Sequence, residues 1–177
     1  MPAYGIVGGL VATVLVVVAM VLLGEYTKTR GRWLGTALAL SGYCIAALGP
    51  VALHGRGRYR PVATSGMLFS LLAFALFTVG LWATPDSDAY WKATAVCTLL
   101  SLASAHVCWM LFLERPVAFV YGMARVSALA ASVLAILAGL GIIFEVKVSP
   151  FWWAVTLLGI GQVITGIAAP IIHKLSK

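Results

Sequence analysis

His106 is the only ionisable side chain that lies clearly inside an apolar stretch of this sequence. Ionisable groups are costly in hydrocarbon, so those that occur there point to function. On a helix, Leu99, Leu102 and Met110 share the face of the histidine. That apolar face would suit an axial ligand to haem or to a chlorophyll-type pigment. The alternative is a neutral imidazole that hydrogen-bonds a Ser, a Thr or a carbonyl of a neighbouring helix.

The remaining metal-binding and nucleophilic residues offer weaker chemistry. A two-histidine haem site would need His54 or His173 as the second ligand, and both lie at the ends of their apolar stretches. A copper site formed by His106, Cys108 and Met110 is disfavoured, because positions 108 and 110 point about 160° apart around a helix. The three cysteines all lie inside apolar stretches, where they are expected to be small buried hydrophobes rather than disulfide partners.

Small and polar residues at helical spacing predict helix packing. The stretch from residue 126 has a small residue at every fourth position, and the stretch from residue 93 repeats this spacing more briefly. Such ridges let a second helix approach closely. Gln162 and Thr165 are expected to form interhelical hydrogen bonds, with a substrate site as the alternative. The predicted packing residues are Ser127, Ala131, Ala135, Gly139, Ser101 and Ala105.

The composition places these residues in a membrane. Of the 177 residues, 62% are hydrophobic and 10% are charged, and the mean hydropathy is +1.04. A soluble protein of this size cannot bury so much apolar surface. A soluble enzyme, a disordered chain and a disulfide-rich secreted domain are therefore excluded.

Six apolar stretches are long enough to cross a bilayer as helices, which takes about 20 residues. The predicted fold is thus an all-α polytopic membrane protein with one bundle over 1–177, and the first stretch is expected to be retained rather than cleaved. A β-barrel is disfavoured because the apolar runs are continuous. The stretches are 5–23, 33–53, 66–83, 93–113, 126–144 and 151–172.

Two sequence patterns predict three repeated two-helix hairpins. The pattern W-x-x-T begins at Trp33, Trp91 and Trp153, and the pattern R-P-V-A occurs at 60–63 and again at 115–118. Tryptophan prefers the headgroup boundary and proline fits the first turn of a helix. The same preferences give the alternative explanation, because any helix that enters a membrane can carry them.

The charged residues lie in the connections and predict an orientation. The formal net charge is +7, and the side that carries both termini holds more Lys and Arg than the other. We therefore expect cytoplasmic termini in a bacterial inner membrane, with contacts to anionic headgroups and none to nucleic acid. The residues predicted at the membrane interface are Trp33, Trp91, Trp153, Arg56, Arg58 and Arg60.

The lack of chemistry inside the bundle favours a structural role. The apolar stretches hold no carboxylate, and the chain carries no nucleotide-binding or zinc-protease motif. The sequence therefore predicts a non-catalytic subunit or scaffold of a larger membrane complex, with a protein partner or a second copy of the chain. A small transporter or channel for a neutral solute is the first alternative, and a haem- or pigment-binding protein built on His106 is the second.

Overall fold

Five helices form the part of the chain that the structure describes. The computed structural model describes Leu15, Val18 and residues 27–57, 59–112 and 118–175, with side chains except at 118–121, 123 and 166–175. No strand occurs among these residues. The helices are α1 (Lys28–Gly55), α2 (Arg60–Ala83), α3 (Asp88–Phe112), α4 (Ala118–Ile143) and α5 (Ser149–Leu175).

The predicted all-α membrane class is confirmed in its coarse form. Helices α1, α2 and α3 and residues Ala124–Ile143 of α4 are long and apolar enough to cross a bilayer. They contain most of the second to fifth predicted stretches. The first stretch lies outside the described residues apart from Leu15 and Val18, and the sixth lies within α5. Six spans therefore remain a prediction, of which the structure supports four candidates.

Local sequence explains where several helices begin and end. The Thr27 side chain accepts a hydrogen bond from the backbone N–H of Arg30 at 3.3 Å, which caps α1. A proline in the first turn starts α2, as the sequence predicts. Thr84 and Glu145 follow α2 and α4 in the left-handed conformation, with φ of 45° and 51°. That conformation ends a helix and lets the chain turn back.

Helix α3 lies at the centre and contacts each of the other four described helices. Helix α1 approaches it closely at Gly49. A Cβ built on this glycine would lie 2.8 Å from the Ala105 carbonyl oxygen of α3, so only glycine fits there. Pro50, the next residue, lies against Gly66 of α2. These close approaches bring the backbones of α1, α2 and α3 together, and Leu53, Ala63 and Cys108 pack between the same helices.

Small side chains fill the interior of the bundle, and large side chains lie on its outer surface. The buried hydrophobic residues are mostly alanines, such as Ala63, Ala73 and Ala131, which are at most 4% exposed. The large aliphatic side chains face outwards, and Leu71 and Leu129 are each more than 60% exposed. This pattern suits a bundle whose surroundings are lipid, where small residues allow helices to approach closely. The exposed apolar surface therefore implies contact with a lipid bilayer.

Candidate functional site

Three helices bring a cluster of polar side chains together in the second half of the bundle. We call it the His106 cluster, and it consists of His106 on α3, Ser127 on α4, and Gln162 and Thr165 on α5. Ser127 Oγ lies 2.9 Å from His106 Nε2 and 3.0 Å from Thr165 Oγ1. It also lies 3.0 Å from the side-chain amide of Gln162. Ser127 is therefore the hub that joins the three helices.

The orientation of the Gln162 amide decides how the cluster shares its protons. With its nitrogen towards α3 and α4, the amide donates to Ser127 Oγ and to His106 Nε2, each at 3.0 Å. Its oxygen then accepts from the backbone N–H of Ala131 at 3.2 Å. This arrangement gives every atom of the amide a complementary partner. It makes His106 Nε2 an acceptor, so a neutral imidazole carries its proton on Nδ1.

The predicted interhelical hydrogen bonds of Gln162 and Thr165 are confirmed by these distances. His106 makes the hydrogen bond to a neighbouring serine that was predicted as the alternative to axial ligation. Axial ligation by His106 stays a prediction, and ligation through Nε2 would require that nitrogen to leave Ser127. Of the two further histidines, His54 is exposed at the end of α1, and the side chain of His173 lies outside the described residues.

The three residues of the disfavoured copper site face different neighbours. His106 contacts Ser127 of α4, whereas Cys108 Sγ lies 4.0 Å from the Val62 carbonyl oxygen of α2. Met110 packs with Ala124 and Ala128. Among the described residues, no group of three or more His, Cys, Asp and Glu side chains could hold a metal ion.

A second polar contact lies on another face of α3. Ser70 of α2 and Ser101 of α3 are both buried, and their hydroxyl oxygens lie 2.8 Å apart. Ser70 also donates to the Gly66 carbonyl oxygen at 3.0 Å. Further along α3, Thr98 Oγ1 lies 2.7 Å from the Tyr43 hydroxyl of α1. Helix α3 thus has a polar contact with each of α1, α2 and α4.

The residues predicted to pack helices lie in the interior. The described structure buries Ser127, Ala131, Ala135 and Gly139 along one face of α4. Ser101 is buried as well, and Ala105 is half-buried beside Gly49. Ser127 was predicted from the sequence only as a small packing residue, and its role in the polar cluster was not predicted. The signal was present, since Ser127 is the only hydroxyl residue in that ridge.

The predicted interface residues lie at the two ends of the bundle. Trp33, Trp91 and Trp153 are exposed, and Trp33 stacks edge-on against Trp82 at 5.2 Å between ring centroids. At the other end, Arg56 donates to the Phe112 carbonyl oxygen at 2.7 Å and covers the Phe112 ring. Arg60 is exposed, and Arg58 lies outside the described residues.

Cavities open on several sides of the His106 cluster. A cavity of about 530 Å³ between α4 and α5 is lined by Ser127, Gln162 and Thr165 among others. Two further cavities reach His106 itself. One lies between α3, α4 and α5, has a volume of about 480 Å³ and is lined by Leu102, Leu134, His106 and Gln162 among others. The other lies between α1 and α3, has a volume of about 440 Å³ and also reaches Leu102 and His106. Both volumes fall in the range of small-molecule sites in proteins.

Comparison with protein-family models, with curated proteins and with solved structures finds no match to this chain.

Proposed function

We propose that this chain is a non-catalytic integral membrane protein that serves as a structural subunit of a larger membrane complex. The observation that carries the proposal is the use of polar groups along α3. Thr98, Ser101 and His106 each hydrogen-bond a different neighbouring helix. Polar side chains that tie helices together in this way stabilise a rigid bundle. A rigid bundle with a large apolar surface is suited to holding other membrane proteins in place.

The arrangement of reactive side chains supports the non-catalytic part of the proposal. A serine or cysteine nucleophile needs a base within hydrogen-bonding distance. Cys108 contacts a backbone carbonyl of α2 and belongs to an apolar cluster with Leu53 and Ala63. Ser127 lies 2.9 Å from His106 Nε2, but this serine is buried and its hydroxyl also bonds Gln162 and Thr165, so we assign the pair a structural role.

The proposed setting is a bacterial inner membrane with both termini in the cytoplasm. Its support is the count of Lys and Arg in the sequence, seven on the side of both termini and five on the other. Arg56 and Arg60 lie in or beside the connection between α1 and α2, and Arg56 reaches the end of α3 on the same side. Alkaline phosphatase fused after Lys177 should be inactive if this orientation is correct. High phosphatase activity of that fusion would contradict it.

Photo-crosslinking in the native membrane tests the subunit proposal. A photoreactive amino acid is placed at Leu71, Leu129 or Val163, which are exposed on α2, α4 and α5 respectively. We expect a discrete protein adduct from one of these faces and only lipid adducts from the others. The three positions serve as controls for one another because each is more than 60% exposed. Lipid adducts at all three positions, with a lone monomer in nanodiscs, would rule out the proposal.

A further inference from the structure

The two cavities that reach His106 lie next to each other along α3. Both are lined by Leu102 and His106 of α3. Leu102 is 55% exposed although it belongs to the central helix. The cavities therefore form an adjoining pair along α3, one facing α1 and the other facing α4 and α5. We call this pair the His106 cleft.

The lining of the His106 cleft selects for uncharged ligands. Its described walls are aliphatic or aromatic, with Ile45 and Trp109 on one side and Leu134 and Val163 on the other. Among the described residues, no Asp, Glu, Lys or Arg lines either cavity. A charged molecule would lose its hydration here without gaining a counter-ion. An apolar molecule can reach the cleft directly from the bilayer.

The imidazole of His106 gives the cleft one hydrogen-bond donor that has no partner among the bonds of the His106 cluster. All hydrogen bonds from described residues to the His106 ring go to Nε2, which accepts from the Gln162 amide. The ring proton is then on Nδ1, and this N–H is a donor that no bond of the His106 cluster uses. A donor in an apolar cleft gains most from a ligand atom that can only accept. A carbonyl oxygen is such an atom.

We propose that the His106 cleft binds an uncharged, mainly apolar molecule that carries a carbonyl group. The carbonyl oxygen accepts the hydrogen bond from His106 Nδ1, and the apolar remainder lies against Leu99, Leu102 and Leu134. Ser127 and Gln162 hold the ring in the tautomer that makes Nδ1 the donor. The inference does not depend on the structural-subunit proposal, since a subunit can bind such a molecule or lack it.

Benzophenone is a direct probe, because it is an uncharged apolar ketone that inserts into nearby C–H bonds on irradiation. Purified protein in nanodiscs is irradiated with benzophenone, and the adducts are mapped by mass spectrometry. We expect saturable labelling at Leu99, Leu102, Leu134 or Val163. Diphenylmethane has the same two rings without the carbonyl and should compete more weakly by about three- to tenfold, the effect of losing one hydrogen bond.

Two variants separate the pocket from the hydrogen bond. Ala103→Leu fills the cavity between α3 and α5 and should abolish saturable labelling. The matched control is Ala75→Leu, on an exposed position of α2, which should label as the unaltered protein does. His106→Phe keeps the ring and removes the donor, so it should weaken benzophenone binding about three- to tenfold and leave diphenylmethane binding unchanged.

Three outcomes would overturn the inference. One is non-saturable labelling spread evenly over the lipid-facing positions of α2, α4 and α5. Another is equal competition by benzophenone and diphenylmethane in the unaltered protein, which requires no variant to fold. The third is saturable labelling that Ala103→Leu leaves intact.

Discussion

The hairpins α2–α3 and α4–α5 share their loop geometry and differ in their interior. Gly80 precedes Trp91 by eleven residues, and Gly141 precedes Trp152 by eleven. In each hairpin the glycine lies under the aromatic pair that starts the next helix. Each indole donates to a carbonyl oxygen six residues earlier, Trp91 to Pro85 at 3.1 Å and Trp152 to Val146 at 2.6 Å.

The same spacing also matches the polar positions of the two hairpins. Gly66 and Ser127 both lie fourteen residues before the loop glycine, and Ser101 and Gln162 both lie ten residues after the loop tryptophan. At the first of these positions α2–α3 has no side chain, and the helices close on each other. In α4–α5 larger polar side chains occupy both positions, and a cavity between the two helices remains beside them. The two hairpins thus differ in side-chain size at two matched positions: α2–α3 is closed, and α4–α5 leaves space for a ligand.

The shared loops support the predicted repeat and change its register. The pattern W-x-x-T selects Trp153, yet Trp152 makes the hydrogen bond that corresponds to that of Trp91. Thr94 and Thr156 each donate to the carbonyl oxygen four residues earlier, but in the loop register Thr94 corresponds to Val155 rather than to Thr156. The second R-P-V-A pattern ends where α4 begins, and 115–117 lie outside the described residues. The three-hairpin repeat therefore remains a prediction.

We expect the largest effect when Gly66 of the hairpin α2–α3 is replaced by serine, the residue at the matched position of α4–α5. A Cβ on Gly66 would lie 2.9 Å from Pro50 Cγ and 3.2 Å from Ser104 Oγ. We expect Gly66→Ser to lower the free energy of unfolding by about 1–3 kcal/mol through overpacking. Reversible unfolding in mixed micelles measures the change. The control is Gly161→Ser, since no atom lies within 4 Å of a Cβ there. Equal stability of the two variants would show that the close approach at Gly66 is unimportant.

Loss of the hub hydroxyl should have the next largest effect. Ser127→Ala removes contacts to His106, Gln162 and Thr165. At about 0.6 kcal/mol for each interhelical bond, we expect a loss of about 1–2 kcal/mol. Ser101→Ala removes a buried interhelical hydroxyl from the first hairpin and should cost about 0.6 kcal/mol, because it breaks one such bond. A larger loss for Ser101→Ala in the same unfolding assay would reverse the comparison.

The register of the repeat can be tested with the adjacent tryptophans. Trp152→Phe removes the hydrogen bond to Val146 and should cost about 0.5–1.5 kcal/mol of stability, as should Trp91→Phe. Trp153 is the more exposed neighbour, so Trp153→Phe should cost less than either. The three variants are ranked by their thermal unfolding, which is monitored by fluorescence-detected size-exclusion chromatography. If Trp153→Phe is the most harmful, the sequence register is correct and the register inferred from the loops is wrong.

The smallest effect is expected from the charges that join the loops of the two hairpins. Lys92 pairs with Asp88 at 2.7 Å and with Glu145, which follows α4. The pairs are exposed to water, so Lys92→Gln should change stability less than Ser101→Ala does. The change should shrink further when the unfolding assay is repeated in high salt, because salt screens exposed charges. A salt-independent loss would indicate that Lys92 acts through packing instead.

Most of the architecture could be predicted from the sequence. The second to fifth stretches coincide with described helices because a span needs a long apolar run, and that requirement is visible residue by residue. The interhelical hydrogen bonds of Gln162 and Thr165 were also predictable, since a polar side chain in such a helix has few alternatives to a protein partner. The pairing of particular helices was not predictable, and it decides which polar groups meet.

The sequence by itself determined that this protein is a helical membrane bundle, and it singled out His106 as the notable side chain. Only the tertiary structure decided that His106 meets Ser127, Gln162 and Thr165, and that a cleft opens beside them. The physical reason is that helical periodicity fixes the face on which a residue lies. Which helix covers that face depends on close packing between residues far apart in the chain, such as Gly49 with Ala105 and Pro50 with Gly66.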